Sequence, residues 1–171
     1  PVVINLGSKS DNELVDLLFH KNDWYVRTAR RLLQERAVFG KLDETLVPQL
    51  VELATEHDDV SRRLRGLWAL FAVGGLDDKV AKLCLSDESE YVRAWTIQLL
   101  TDDQNVSSSM ERVLLKMGRS DSSAVVRLYL SSAIPRVSKS TAWKLVEYLS
   151  KHKEDREDRY LPKMVWYGLG G

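Results

Sequence analysis

The chain has 171 residues, of which 44% are hydrophobic and 29% are charged, a composition typical of a folded globular protein rather than a disordered one. Its 25 basic and 25 acidic residues give a formal net charge of zero. This balance disfavours nucleic-acid binding, because such proteins usually carry a basic excess. The longest apolar run, Leu67 to Val73, is far too short to cross a membrane, so no membrane insertion is predicted.

The first predicted helix begins at a capping box formed by Ser10 and Glu13. Leu14, Leu17 and Leu18 follow at spacings of three and four, which place them on one helical face. A second helix follows, and Gly40 marks its end, since glycine adopts the left-handed conformation at low cost. The sequence therefore predicts a helical pair over residues 10–38.

Four further pairs are predicted along the chain, at residues 43–74, 78–101, 107–135 and 139–168. Three polar residues occupy positions where their first helices should begin: Asp43, Ser107 and Ser140. Helix ends are expected at Gly74-Gly75, Gly118 and Pro135. No segment shows a sustained period of two, so the predicted fold class is all-α.

An apolar-arginine pattern recurs in the second helices. The arginines are Arg27, Arg65, Arg93 and Arg127, separated by 38, 28 and 34 residues, and Pro162 follows 35 residues later at the equivalent position. Spacing in the thirties is typical of helix-turn-helix repeats, whose members bury their apolar faces only by stacking on neighbours. The pattern favours one continuous repeat domain over residues 1–171, which we expect to be a fragment of a larger protein.

The string from Asp23 to Ala29, Asp-Trp-Tyr-Val-Arg-Thr-Ala, resembles the HEAT repeat, and most closely the short bacterial type found in phycobilisome lyases. The resemblance implies an α-α superhelix. It also implies that each motif arginine pairs with acidic residues or carbonyls of the adjacent turn. The implied structural anchors are Arg27, Arg65, Arg93 and Arg127, with the turn acids Asp23, Asp59, Asp87 and Asp121. Pro162 departs from the pattern because it has no charged side chain, so the implied series of arginine contacts between repeats is weaker at the C-terminal end.

A narrower resemblance covers nearly the whole chain. The strings at residues 22–36, 64–70 and 161–169 are similar to the helical-repeat segment of large bacterial proteins described as membrane-bound dehydrogenases. In that family a propeller resembling sugar dehydrogenases precedes the repeats, and a cytochrome-c-like domain often follows. The resemblance implies export to the cell envelope or periplasm. The haem motif Cys-x-x-Cys-His does not occur in this sequence, so no haem residue is carried over.

No catalytic, cofactor or metal site is predicted. Carboxylate pairs such as Asp77-Asp78 fall in expected turns, where aspartate favours local turn geometry. His57 lies beside Glu56, Asp58 and Asp59, but a solvated turn explains this cluster better than an incomplete set of metal ligands. Cys84 is expected to be a buried, inert thiol, and as the only cysteine it excludes an internal disulfide.

Aromatic and basic side chains supply the candidate interaction surface. We expect three or four of the five tryptophans in the core, with Trp24 and Tyr25 exposed. Near them, arginines at helical spacing could receive an anionic partner, although pairing with nearby glutamates is the favoured interpretation. The predicted surface consists of Trp24, Tyr25, Arg30, Arg31 and Arg62.

The leading hypothesis from the sequence is a non-catalytic scaffold that binds proteins or neighbouring domains of the same chain. One alternative is a structural segment of a dehydrogenase-cytochrome oxidoreductase. Another is a HEAT-like DNA glycosylase, for which Trp24, Arg27 and Asp23 are suitable residue types. The zero net charge argues against the last.

Overall fold

The structure is a computed structural model that describes residues 5–168. This part of the chain contains α-helices and 3₁₀ turns but no strand, which confirms the all-α prediction. The ten helices are α1 (Asp11–Leu17), α2 (Asp23–Val38), α3 (Leu46–Glu56), α4 (Val60–Ala72), α5 (Asp78–Cys84), α6 (Glu90–Leu100), α7 (Ser108–Ser120), α8 (Ala124–Ala133), α9 (Lys139–Leu149) and α10 (Leu161–Tyr167). They fall two by two within the five predicted ranges.

Several helix ends follow the sequence signals. Ser10 Oγ accepts a bond of 3.2 Å from Glu13 N–H, and the Glu13 carboxylate accepts one of 2.8 Å from Ser10 N–H, so the predicted capping box is present. Ser107 caps α7. Gly40 and Gly74 have positive φ angles of 62° and 76°, the conformation that a glycine after a helix adopts readily.

Three predicted ends are wrong. The N-cap of α9 is Ser138 rather than Ser140. Helix α3 begins at Leu46, because Asp43 instead forms a local turn in which its carboxylate accepts bonds from Thr45. Helix α7 continues past Gly118 to Ser120, and a Cβ atom at Gly118 would lie 2.9 Å from a methyl group of Leu145. That glycine permits close packing between α7 and α9 instead of ending a helix.

The chain forms two compact units, Pro1–Asp77 and Asp78–Gly171. In the first unit, α1 packs on α2, α3 on α4, and α2 on α4. Helices α3 and α4 approach closely at Gly66, where a Cβ atom would lie 2.8 Å from Leu53 Cγ and 3.0 Å from the Ala54 nitrogen. The fully buried leucines of this unit form its core: Leu14, Leu33, Leu46, Leu50, Leu67 and Leu70.

In the second unit, the first helix of each pair packs against the first helix of the next, α5 on α7 and α7 on α9. The second helices do the same, α6 on α8 and α8 on α10. The unit is therefore built as two helical layers, and its core residues include Ile97, Met110, Leu114, Leu130 and Leu145.

Polar bonds join the N-termini of successive first helices in this unit. The Asp78 carboxylate accepts bonds of 2.6 and 2.7 Å from the hydroxyls of Ser107 and Ser109, which hold its pKa below the ordinary value. One pair later, the Glu111 carboxylate accepts a 2.6 Å bond from Ser138 N–H and a 2.9 Å bond from the Thr141 hydroxyl. These contacts fix the register of α5, α7 and α9.

Candidate functional site

Three arginines occupy the same place in their helices. Arg63, Arg93 and Arg127 are each the fourth residue of α4, α6 and α8. Each donates a hydrogen bond to the carbonyl oxygen six residues earlier, in the turn before the helix. The acceptors belong to His57, Asp87 and Asp121, at 2.7, 2.9 and 2.9 Å. The arginines therefore fix the entry of the chain into each second helix.

Arg93 and Arg127 also reach the next helical pair. Arg93 Nε and Nη2 each donate a bond of 2.9 Å to the Asp121 carboxylate. Arg127 donates in the same bidentate way to Asp155, at 2.5 and 2.6 Å. Asp155 raises the pKa of Arg127, because the carboxylate stabilises the charged guanidinium. Arg127 and Asp155 are 2% and 6% exposed, so this is a buried ion pair.

The sequence pattern placed the anchor of the second pair at Arg65, whereas the structure gives this position to Arg63. Arg65 is the sixth residue of α4 and donates instead to the carbonyl of Leu18, at 2.7 Å. Asp59 caps α4 by accepting from Arg62 N–H at 3.1 Å. The sequence pattern requires an apolar residue before the arginine. Arg63 follows another arginine, whereas Arg65 follows Leu64, so the pattern identified Arg65.

Arg27 is also out of register. It is the fifth residue of α2, and one residue along a helix turns a side chain by about 100°. Arg27 therefore lies on the exposed surface, where its Nε is 3.3 Å from the Asp23 carboxylate. Both side chains are about two-thirds exposed. The contact stays within one helix and does not join two pairs.

The predicted interaction surface is divided into separate contacts. Trp24 and Tyr25 pack edge to face with ring centroids 5.0 Å apart, and Arg31 lies 3.7 Å from Glu35. Arg30 lies over the ring of Trp68 at 5.9 Å. Arg62 lies over the ring of Phe19 at 5.0 Å and beside His57 Nε2 at 3.3 Å. None of the five lines the polar cavity beside α9 or the cavity that crosses α6, α8 and α10.

The tryptophans are more exposed than predicted. Trp24, Trp143 and Trp166 are 48%, 64% and 74% exposed, while Trp68 and Trp95 are half-buried. The expectation of three or four core tryptophans is therefore wrong. The interior between the helices is filled by leucine, valine, alanine and methionine, which leaves the large rings at the edges of the helices.

The second helices of the second unit form an aromatic groove, which the sequence did not identify as a set. It has a volume of about 470 Å³ and crosses α6, α8 and the start of α10. The rings of Trp95 and Tyr129 lie 6.1 Å apart at an angle of 56°. The lining residues are Trp95 and Gln98 of α6, Leu128, Tyr129 and Ser132 of α8, and Tyr160 and Met164 at α10. Most of this lining is apolar or aromatic.

The Arg–Asp pairs hold the groove in place. Trp95 and Tyr129 each follow their arginine, Arg93 or Arg127, by two residues. Arg93 joins α6 to the turn before α8, and Arg127 joins α8 to the turn that leads to α10.

The signal for Asp155 was present in the sequence, since Asp121 and Asp155 each follow their arginine by 28 residues. Its position within a charged run suggested a solvated turn instead.

A polar cavity of about 390 Å³ lies beside α9 and is lined by Arg119, Tyr148, Lys151, His152 and Glu154. Two of its lining side chains, Lys151 and His152, are bonded to neighbours. Lys151 Nζ lies 2.6 Å from Glu147, and the two ring nitrogens of His152 lie 2.9 Å from Glu154 and 3.0 Å from the carbonyl of Gly118. His152 thereby joins the turn after α9 to α7, the helix that contains Gly118.

Cys84 is 1% exposed, and burial raises the pKa of its thiol to about 11. Because the thiolate is the reactive form, the folded protein should react with Ellman's reagent far more slowly than the same protein in 6 M guanidinium chloride. We expect at least a 100-fold difference in rate. A native rate close to that of the denatured chain would contradict the buried position of Cys84.

Groups of three or more His, Cys, Asp or Glu side chains arranged to hold a metal ion do not occur in the described residues. None of the helices within residues 5–168 has the length and apolar character needed to cross a membrane. Compared with known protein families and with curated proteins, the chain matches none.

Proposed function

We propose that the chain is a non-catalytic protein-interaction module built from HEAT-like repeats. The helical pairs act as the repeats of an α-α solenoid. Two features support this: like helices pack on like helices in the second unit, and arginines at the fourth helical position recur in α4, α6 and α8. Such repeats leave one layer of helices available to a ligand over a long surface.

The observation that carries the proposed function is the aromatic groove across α6, α8 and α10. Exposed aromatic surface in a concave site is typical of ligand and protein interfaces, because large rings bury much apolar area with little loss of conformational entropy. The groove is held by the part-buried Arg93–Asp121 pair and the buried Arg127–Asp155 pair, so we propose that it is formed before any ligand binds. We propose that it binds an extended segment of another protein or of a neighbouring domain of the same polypeptide.

The proposed function predicts that Tyr129→Ser removes peptide binding. Peptides selected by the wild-type chain from a random 12-residue display library should bind the Y129S variant at least tenfold more weakly. The reason is that the aromatic platform at the centre of the groove is lost. Trp24→Ser is the matched control, since Trp24 is exposed in the first unit.

Circular dichroism should show that both variants remain helical. Selection of peptides that bind wild type and Y129S equally would overturn the groove as the docking site. Failure to enrich any peptide above an empty support would overturn the proposed function itself.

A further inference from the structure

The sulfur atoms of the chain differ in their exposure to solvent. The sequence contains three methionines and one cysteine. Met110 and Cys84 are 0% and 1% exposed, and Met117 is 8% exposed. Met164 is partly exposed and lines the aromatic groove. We propose that Met164 is the site at which hydroperoxides oxidise this chain and, as a consequence that rests on the proposed function, that its sulfoxide weakens the binding of apolar ligand side chains in the groove.

Cys84 does not compete for the oxidant. A cysteine reacts with a peroxide as its thiolate, so its oxidation follows both thiolate character and exposure. Burial raises the pKa of the Cys84 thiol to about 11, and the charge of Asp87 acts in the same direction. The thiol is therefore protonated at neutral pH as well as covered, and it is protected on both counts.

The other two methionines are protected by the core. Met110 and Met117 lie on the buried face of α7. A peroxide reaches their sulfur atoms only when the second unit opens around this helix, which costs a large part of its stability. Met164 is the fourth residue of α10, and its side chain lines an open groove of about 470 Å³. Exposure therefore selects Met164 among the sulfur atoms of the chain.

The reaction needs no catalytic group from the protein. A lone pair of the Met164 sulfur attacks the terminal oxygen of the hydroperoxide, so that an S–O bond forms while the O–O bond breaks. The sulfur loses two electrons and the peroxide gains them. The proton of the transferred oxygen passes through water to the departing oxygen, which leaves as water or as an alcohol. The product is methionine sulfoxide, which methionine sulfoxide reductases convert back to methionine with two thiols as the reductant.

Oxidation changes the chemical character of the groove. The methionine side chain is flexible and apolar, properties that suit it to binding surfaces. The sulfoxide oxygen is polar, and an apolar ligand side chain that covers it removes its water without supplying a donor. The lining side chains that can donate to this oxygen are Trp95, Gln98, Tyr129, Ser132 and Tyr160. Whether water or one of these donors bonds to the oxygen, polar atoms then occupy space in which an apolar ligand side chain would pack.

A peptide map tests the oxidation site. The wild-type chain is treated with hydrogen peroxide and digested with trypsin, which separates the three methionines into peptides 94–112, 117–119 and 164–171. Fragmentation of the last peptide distinguishes Met164 from Trp166. Met164 should be oxidised at least tenfold faster than the other two methionines. In 6 M guanidinium chloride the three rates should agree within about twofold, because the protection comes from the fold.

Equal rates at the three methionines of the native chain would overturn the assignment, as would faster oxidation of Cys84 than of Met164. The map does not depend on what the groove binds. It therefore tests the oxidation site even if the display selection enriches no peptide.

Peptide binding before and after peroxide treatment tests the consequence for the groove. The probe is the tightest display-selected peptide that contains neither methionine nor cysteine. Oxidation should weaken its binding to the wild-type chain at least threefold, and methionine sulfoxide reductases with dithiothreitol should restore it. Met164→Leu has no sulfur at this position, so its treated and untreated samples should bind the probe equally. Met117→Leu is the matched control and should lose binding on treatment as the wild type does.

Selective oxidation of Met164 without any loss of peptide binding would overturn the effect on the groove while the proposed function stands. The same loss of binding in treated M164L would also overturn it, because the damage would then lie at another residue.

Discussion

Replacing Arg127 by methionine is expected to lower the free energy of unfolding by about 3–5 kcal/mol, because it leaves the Asp155 carboxylate buried without its cation. Both groups are almost fully removed from water, so solvent cannot take the place of the guanidinium. Urea denaturation followed by circular dichroism at 222 nm measures the change.

The double variant R127M/D155L provides the matched test of that mechanism. Removing both charges replaces a buried ion pair by apolar contacts, which is often close to neutral. We therefore expect the double variant to be more stable than R127M alone. Arg27→Met removes an exposed pair and should cost less than about 1 kcal/mol. A loss at R127M no larger than at R27M would contradict the buried arrangement of Arg127 and Asp155.

Replacing Arg63 by methionine is expected to cost about 1.5–3 kcal/mol, the value typical of hydrogen bonds to a charged group. Arg63 is 5% exposed and donates to the carbonyls of His57 and Asp58 at 2.7 and 3.3 Å. The loss of its guanidinium leaves these backbone acceptors without that donor at the start of α4.

Arg65→Met is the control for the register of the second helical pair. Arg65 is half-buried and donates to Leu18, where water can replace part of the lost bond. We expect R65M to destabilise the chain less than R63M in the same urea titration. The opposite order would restore Arg65 as the anchor and contradict the assignment of Arg63.

The positions of the helices could be predicted because their signals are local. The Ser10 capping box, the apolar residues at spacings of three and four, and Gly40 and Gly74 all act within a few residues of the ends they mark. The prediction of a helix end failed where a residue typical of helix ends serves another purpose. Position 118 requires a small residue because α7 packs against Leu145 there, and that contact is known only from the packed structure.

The contacts between helical pairs were harder to predict, because they depend on the exact register of each helix. Both Arg27 and Arg127 follow a valine, but Arg27 is the fifth residue of its helix and is exposed, whereas Arg127 is the fourth residue of its helix and is buried. Asp155 was assigned to a solvated turn, since its neighbours in sequence are charged. Its burial comes from Arg127, which is 28 residues away.

The aromatic groove was only partly foreseen. Aromatic residues on the second helices suggested a binding face, but the tryptophans do not share one offset from the arginines. The structure shows that tyrosine and methionine, at Tyr129, Tyr160 and Met164, complete the surface that Trp95 begins. The selection of Trp24 and Arg62 from the sequence relied on residue type, and side-chain type alone does not determine which residues meet in space.

The most direct test of the groove as the docking face uses the three methionines of the chain as reporters. Met164 lines the groove, whereas Met110 and Met117 are buried in α7 at 0% and 8% exposure. The chain is labelled with ¹³C at the methionine methyl groups and titrated with the tightest peptide from the display selection. If the peptide docks in the groove, the Met164 signal should shift and saturate, with little change at Met110 and Met117. Saturable binding that leaves the Met164 signal unmoved would contradict it.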